Sequence, residues 1–433
     1  MYKRSKKIMA MVMSAAMVLS MTAVTRAEAA DKKDNIEIRL ASRWGGEEPL
    51  SVYFQQKIEE FNALDNGITI VGDHVTDEQQ YLDKLSAQIG SGTQPEIFIE
   101  YGGTRIQDYV ESGILLDLKP YLDADPEWRD SFLPLFDKWE FDDGVYGVPV
   151  MLYAIVLYSN TDVLKANGLE VPQTFEDLEK CCETLKANGI NPFMLGEQSN
   201  FRAGHFLNNI ALKTYGPDVV TKLADRTMPY DGEEMLGLYQ TIKDFNDKGY
   251  FGDNAVGVDN NGEKAAFLSG ESAFRYDGAW FVSEVNGSAV DGKVQVSAFP
   301  SINEEYKNVF QGGAGQGFSV TDTGDKEKND AAIEVVKYLT SQDYYRGLEK
   351  ASNGGIYPVK FESDPDTVID DLTKQVKEVI EPATDYRDDM QNYDPETHML
   401  NTVRTALQGL FVGNTPEQCG EEIVNAEEIT EPQ

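Results

Sequence analysis

Three cysteines and three histidines in 433 residues are too few for a disulfide framework or a histidine-rich metal centre. His74, His205 and His398 stand far apart, with no metal-ligand spacing. Positive charge is scarce as well: 38 Lys and Arg face 74 Asp and Glu, a formal net charge of −36. Such a chain stays soluble and is a poor partner for nucleic acid, an anionic membrane or a polyanionic ligand. Catalytic signatures are missing too. No serine stands in Gly-x-Ser-x-Gly, and "GGAGQG" (Gly312 to Gly317) lacks the Gly-Lys-Ser/Thr ending of a phosphate loop. There is no Asp-x-Asp-x-Asp-Gly calcium loop. No cofactor, no metal and no catalytic residue is expected.

After Val24 no apolar run is long enough to span a membrane, and there is neither a sequence repeat nor a low-complexity linker. The one apolar run, Ile8 to Val24, follows Lys3, Arg4, Lys6 and Lys7 and precedes Ala27-Glu28-Ala29. Positive start, apolar middle and small residues at the cleavage site read as an export signal over residues 1–29. Removing this segment, with five basic residues and one acidic, takes the formal charge from −36 to −40. About 400 residues then remain, more than one core usually holds, so two lobes joined by short crossings are expected.

Strand and helix patterns alternate along what remains. Ile36, Ile38 and Leu40 alternate with polar residues, and Phe54, Ile58 and Phe61 follow at helical spacing. Ile68 to Val71 reads as the next strand. Thr76 to Gln79 reads as a capping box before the stripe Leu82, Leu85 and Ile89. Ile97 to Ile99 is a third strand, and Val148 to Tyr158 a later one. Thr174 to Asp177 opens a helix striped by Phe175, Leu178, Cys182 and Leu185, and Thr415 to Gln418 opens the last helix. This predicts an α/β fold with a mostly parallel sheet covered on both faces. Cys182 reads as a buried small hydrophobe, Cys181 points elsewhere, and free thiols are expected for both and for Cys419.

In open α/β sheets ligands bind beyond the carboxyl ends of the strands. Four such places pair glycine with aromatic or polar groups: Arg43-Trp44-Gly45-Gly46, Glu100-Tyr101-Gly102-Gly103, Asp277-Gly278-Ala279-Trp280 and Gln311-Gly312-Gly313-Ala314-Gly315. Glycine admits a ligand close to the backbone, ring faces pack on the C–H face of a sugar, and the polar groups match its hydroxyls. Against this, a tryptophan after a strand also serves as core packing, and glycine clusters also mark turns.

Six segments in order carry a family resemblance: "FQQKIEEFNAL...ITIV", "YLDKLSAQIGSGTQPEIFIEYGG", "YVESGILLDLKPYL", the long run from "DDGVYGVPVMLYAIVLYSN" to "NGINPF", "AAFLSGESAFRYDGAW", and "AIEVVKYLTSQDYY...NGGIYPV". The chain resembles the extracellular solute-binding proteins of ABC sugar importers, the group similar to maltose-binding protein. The resemblance implies a periplasmic-binding-protein-like fold of two lobes with a hinge and a central ligand cleft. By it, residues 30–153 plus 277–314 form the first lobe and 154–276 plus 315–433 the second. It implies a monomeric, exported, non-catalytic receptor for a carbohydrate, handing its ligand to membrane permease subunits. The ligand-binding residues it implies are Arg43, Trp44, Glu100, Tyr101, Tyr153, Asp277, Trp280, Gly312 and Tyr357, with Asn200, Phe201 and His205 as weaker members. Two departures stand out. "VLSMTAVTRAEAA" has no lipobox cysteine, and the usual Tyr-Asn after the hinge strand reads Tyr158-Ser159-Asn160. A secreted glycoside hydrolase or lyase, or the same fold holding a peptide, polyamine or osmolyte, are the alternative readings.

Overall fold

A computed structural model describes residues 35–428; the expected export signal, 1–29, lies outside the described residues. Eight strands organise the fold: β1 (Ile36–Ser42), β2 (Ile68–His74), β3 (Ile97–Glu100), β4 (Val148–Asn160), β5 (Phe274–Gly278), β6 (Val294–Ser297), β7 (Val309–Val320) and β8 (Asp385–Arg387). They form one sheet in the order β2-β1-β3-β7-β4-β5, with β8 joined to β7 and β6 to β4. A two-stranded hairpin, Glu140–Phe141 with Gly144–Val145, stands apart.

The first three strands are parallel, Ile36 facing Ile68 and Leu40 facing Ile97. Helices Pro49–Asn62 and Glu78–Gly90 make the crossovers, the first burying Phe54, Ile58 and Phe61 as its spacing predicts. The second buries Tyr81 and Leu85, and its cap is Asp77 rather than Thr76. A carboxylate accepts a backbone N–H more strongly than a hydroxyl does, which moves the start by one residue. The other two boxes fall where expected: Thr174 and Asp177 cap reciprocally, as do Thr415 and Gln418. Asn160 accepts from the Val163 N–H and so caps the short helix Thr161–Ala166.

Beyond β3 the sheet turns antiparallel. β7 pairs that way with both β3 and β4, and β4 with β5 and β6. The expectation of a mostly parallel sheet therefore holds for the β2-β1-β3 end and for the short β8, which pairs in parallel with β7, and fails for the rest. β4 and β7 are long because each passes through two cores. Val148, Val150 and Leu152 lie in a first core with Ile38, Phe54, Phe98, Phe318 and Val336. Ile155 and Leu157 lie in a second core with Phe206, Tyr239, Phe274 and Leu407. A smaller cluster covers the other face of the second lobe, taking Ala154, Val156 and Tyr158 from β4 and Phe281, Phe310 and Val376.

This changes the lobe boundaries implied by the resemblance. β5 and β6 stay paired to the second half of β4, Ile155 opposite Gly278 and Leu157 opposite Ser297, so residues 277–310 belong to the second lobe. The strands cross between lobes where Tyr153 faces Gly313 and Ala154 faces Gly312. From Ala314 to Val359 the chain is back in the first core, and from Leu372 it lies with the second lobe. Gln311 to Gly315 does not end a strand; it is the middle of β7. All three cysteines are free and buried in the second core, Cys181 included, its Sγ 3.7 Å from the Glu170 carbonyl oxygen.

Candidate functional site at the lobe crossing

Successive residues of a strand point to opposite faces, and at the crossing this sorts the predicted site residues. Tyr153 shares the face of Ile155 and Leu157, whereas Ala154 shares that of Val156 and Tyr158. On the Tyr153 face stands Trp280. The turn after β5 buries Phe281 against Tyr158, ring centroids 5.2 Å apart, and leaves its neighbour Trp280 52% exposed. The indole lies back over Gly278, where any Cβ would come within 2.4 Å of the ring. Its centroid is 6.0 Å from that of Tyr153 at 37°, so two rings line one wall. Tyr153 in turn lies across β7, where a Cβ on Gly315 would meet its ring edge at 3.2 Å. Glycine in "QGGAGQG" is needed there for side-chain room, not for a turn.

The strand β5 that carries Trp280 is held by buried charge. Arg202 makes a forked contact with Glu263 at 2.7–3.2 Å and donates to the Tyr276 carbonyl. Arg275 reaches Glu263 at 2.8 Å and donates to Asp277. Asp277 also accepts from the Gly278 N–H, so both its oxygens are engaged and its role is to fix the turn. Burial opposes its charge, but Arg275 and Arg202 hold its carboxyl below the usual range. The implied part of Asp277 as a hydroxyl partner is corrected accordingly.

Below the rings lies a polar floor on the same face. Asp389 accepts from Asn208, Gln311 (2.8 Å) and Arg404. His205 stands 3.9 Å from Asp389 with its Nδ1 buried and unpartnered. Burial pushes the His205 imidazole down to about 4, so it is neutral near pH 7 and keeps one donor and one acceptor. Phe201 packs on His205 at 5.3 Å, and Asn200, in the left-handed region at φ 54°, turns away to Thr405. On the first-lobe side Tyr101 is half-buried, its hydroxyl accepting from Gln316 at 3.0 Å, with the Arg105 guanidinium 4.9 Å from its ring centre. Arg43, half-buried, faces Glu78 at 3.9 Å.

Two other predicted residues are interior. Trp44 packs edge-on against Phe54 (4.8 Å) and Phe318 in the first core, because the Ser42 hydroxyl draws its backbone N–H inward. Glu100 is buried among Trp139, Ser319 and the Gly102 N–H, fixing the turn below Tyr101. Burial raises its carboxyl above the ordinary value despite these donors. Gly312 and Tyr357 line a cavity of about 1110 Å³ together with Leu152, Ile380 and Tyr386. Its lining draws on both lobes, Leu135 and Val359 from the first and Ile380 from the second, and includes neither Tyr153 nor Trp280. Gln311 stood in one of the four glycine-containing segments without being picked as a site residue, and nothing local marks Asp389. Arg404 carried a signal that went unused, a cation on the helix Met399–Leu410 beside its buried apolar stripe, in a chain short of cations.

A family model described as bacterial extracellular solute-binding protein matches residues 45–346. A putative binding protein of Brucella abortus is 24% identical over 317 residues, covering 72% of this chain and 73% of its own length. A multiple sugar-binding protein of Streptococcus mutans is 22% identical over 304 residues, 64% of this chain and 68% of its own. Among solved structures, a chitin oligosaccharide binding protein superposes with a TM-score of 0.78 at 24% identity, covering 92% of this chain and 99% of that one. Among the described residues no helix is long and apolar enough to cross a membrane. With the matched model spanning most of the sequence and two cores joined at crossing strands, this chain belongs to the family of bacterial extracellular solute-binding proteins.

Proposed function

We propose that the protein is an extracytoplasmic carbohydrate receptor of an ABC importer. An oligosaccharide enters between the lobes on the Tyr153 face, the lobes close by rotation about the crossing strands, and the closed form docks on the permease subunits. The observation that carries this reading is Trp280, a large ring 52% exposed against Tyr153 beside the crossing. Two rings side by side at the crossing offer a stacking surface, and a sugar's C–H face fits it. Tyr101 and Arg43 supply the first-lobe side, while Arg404 and the free nitrogen of His205 supply hydroxyl partners from the second. The name of the Streptococcus mutans relative supports the ligand class. The receptor acts as a monomer and leaves its ligand chemically unchanged.

A thermal-shift panel on residues 30–433, using mono- and oligosaccharides, amino acids and polyamines, tests this reading. A rise with one oligosaccharide class, growing with ln(1 + [L]/Kd), is expected. That oligosaccharide should elute unchanged in chromatography after prolonged incubation. A flat sugar panel with a rise from a cationic solute overturns the ligand class, and shortened sugar chains overturn the receptor reading.

A further inference from the structure

Beside the crossing the two lobes are tied by side chains outside the aromatic wall. Lys138 belongs to the first lobe: its carbonyl accepts from the Gly103 N–H at 2.7 Å, and Trp139 next to it is buried in the first core. Asp388 belongs to the second: it follows β8, and Asp389 after it is bonded to Asn208 and Arg404. The Lys138 ammonium meets the Asp388 carboxylate, the two side chains only 4% and 11% exposed. Lys138 also donates to the Ala314 carbonyl at 3.3 Å, next to Gly313 where the strands cross. The Tyr153 phenol donates to the same Asp388 carboxylate. A second tie runs alongside: the Tyr393 hydroxyl donates to Asp137 at 3.0 Å and accepts from the Asp388 N–H at 3.2 Å.

We infer that Lys138 and Asp388 are positioning residues, a buried inter-lobe pin that confines lobe movement to rotation about the crossing and keeps Tyr101 and Tyr153 in register. The inference deepens the receptor reading and rests on its hinge motion. A contact beside a rotation axis changes length little when the lobes turn, so the pair survives opening and closing. Sliding or shearing of one lobe past the other pulls the charges apart inside a buried site, where an unpaired ion is strongly disfavoured. Lys138 links both halves of the candidate site. Its backbone holds the loop that follows Tyr101, and its side chain holds the carboxylate that holds Tyr153.

The test compares the wild type with the double variant Lys138→Met/Asp388→Asn, which leaves no unpaired charge and keeps an acceptor for Tyr153. Spin labels go on Val52→Cys in the first lobe and Val412→Cys in the second, both exposed, while the native thiols are buried. The pin predicts a broadened label–label distance distribution without ligand and at least a tenfold loss of oligosaccharide affinity. A distribution and an affinity equal to wild type overturn it. If the double variant does not fold, Lys138→Gln carries the comparison: its amide still donates to Asp388 without the charge. A smaller broadening is then expected, and a wild-type distribution overturns the pin. A wild type that binds no sugar overturns the carbohydrate reading alone, and the label distances still decide the pin.

Discussion

The two lobes place their charges differently. In the first, exposed ion pairs sit at the rim of the sheet, as with Lys84 and Asp73, whose side chains are 45% and 34% exposed. In the second, Arg202, Glu263, Arg275 and Asp277 are all buried at the centre, under the strand that carries Trp280. Rim pairs are screened by water and contribute little, whereas a buried cluster strongly resists the removal of any one member. The second lobe thus fixes the geometry of its strand end with charge, and the first does so with packing around Trp44 and Glu100.

The largest effect expected from this contrast is that of Glu263→Gln. It leaves two arginines short of one counter-charge and should lower unfolding free energy by about 3–5 kcal/mol in a denaturant titration. A loss as small as that of a rim variant would sink the contrast. Trp280→Ala should weaken oligosaccharide binding at least tenfold, about 1.4 kcal/mol, with the denaturation midpoint unchanged. Equal affinity removes Trp280 from the site. Glu197, buried beside Arg202, gives the contrast a pH signature. Burial pushes its carboxyl up to about 7, with the Ala203 N–H opposing. A folded value above the unfolded one, about 4.3, means that its contribution is full below about pH 4 and is lost as pH rises to about 7. Glu197→Gln should flatten that part of the stability profile, a change of at most about 4 kcal/mol. The smallest effect belongs to Lys84→Ala in the first lobe, which removes a partly exposed pair with Asp73. It should cost about 0.2–1 kcal/mol, shrinking further in high salt.

Much of the fold was legible because local periodicity and capping chemistry act within a few residues. β1 to β3, the helix stripe of Phe54, Ile58 and Phe61, and the Thr174 and Thr415 caps all follow from neighbours in sequence. The crossing was not legible. Gly312 to Gly317 reads as a turn until β7 is seen to run through it, with Tyr153 and Trp139 lying over the missing side chains. Trp44 and Trp280 show the same limit within the site. Both follow strands and stand near glycine, yet one is buried and one displayed. Phe281 takes the core position beside Trp280, and nothing near Trp44 does so in its place. Asp388 and Asp389 were hidden among 74 carboxylates, since only the fold brings Lys138 and Arg404 to them.

The pairing of Ile97 with Val320 also sets the order of assembly. The first lobe cannot complete its sheet until a segment more than 200 residues further along the chain has been made. Contacts so distant in sequence slow folding, because the loop must close before they stabilise anything. A nascent chain stopped before β7 would leave the edge of β3 open, a template for pairing with another chain. Its fate would then rest with whatever binds open strand edges before synthesis ends.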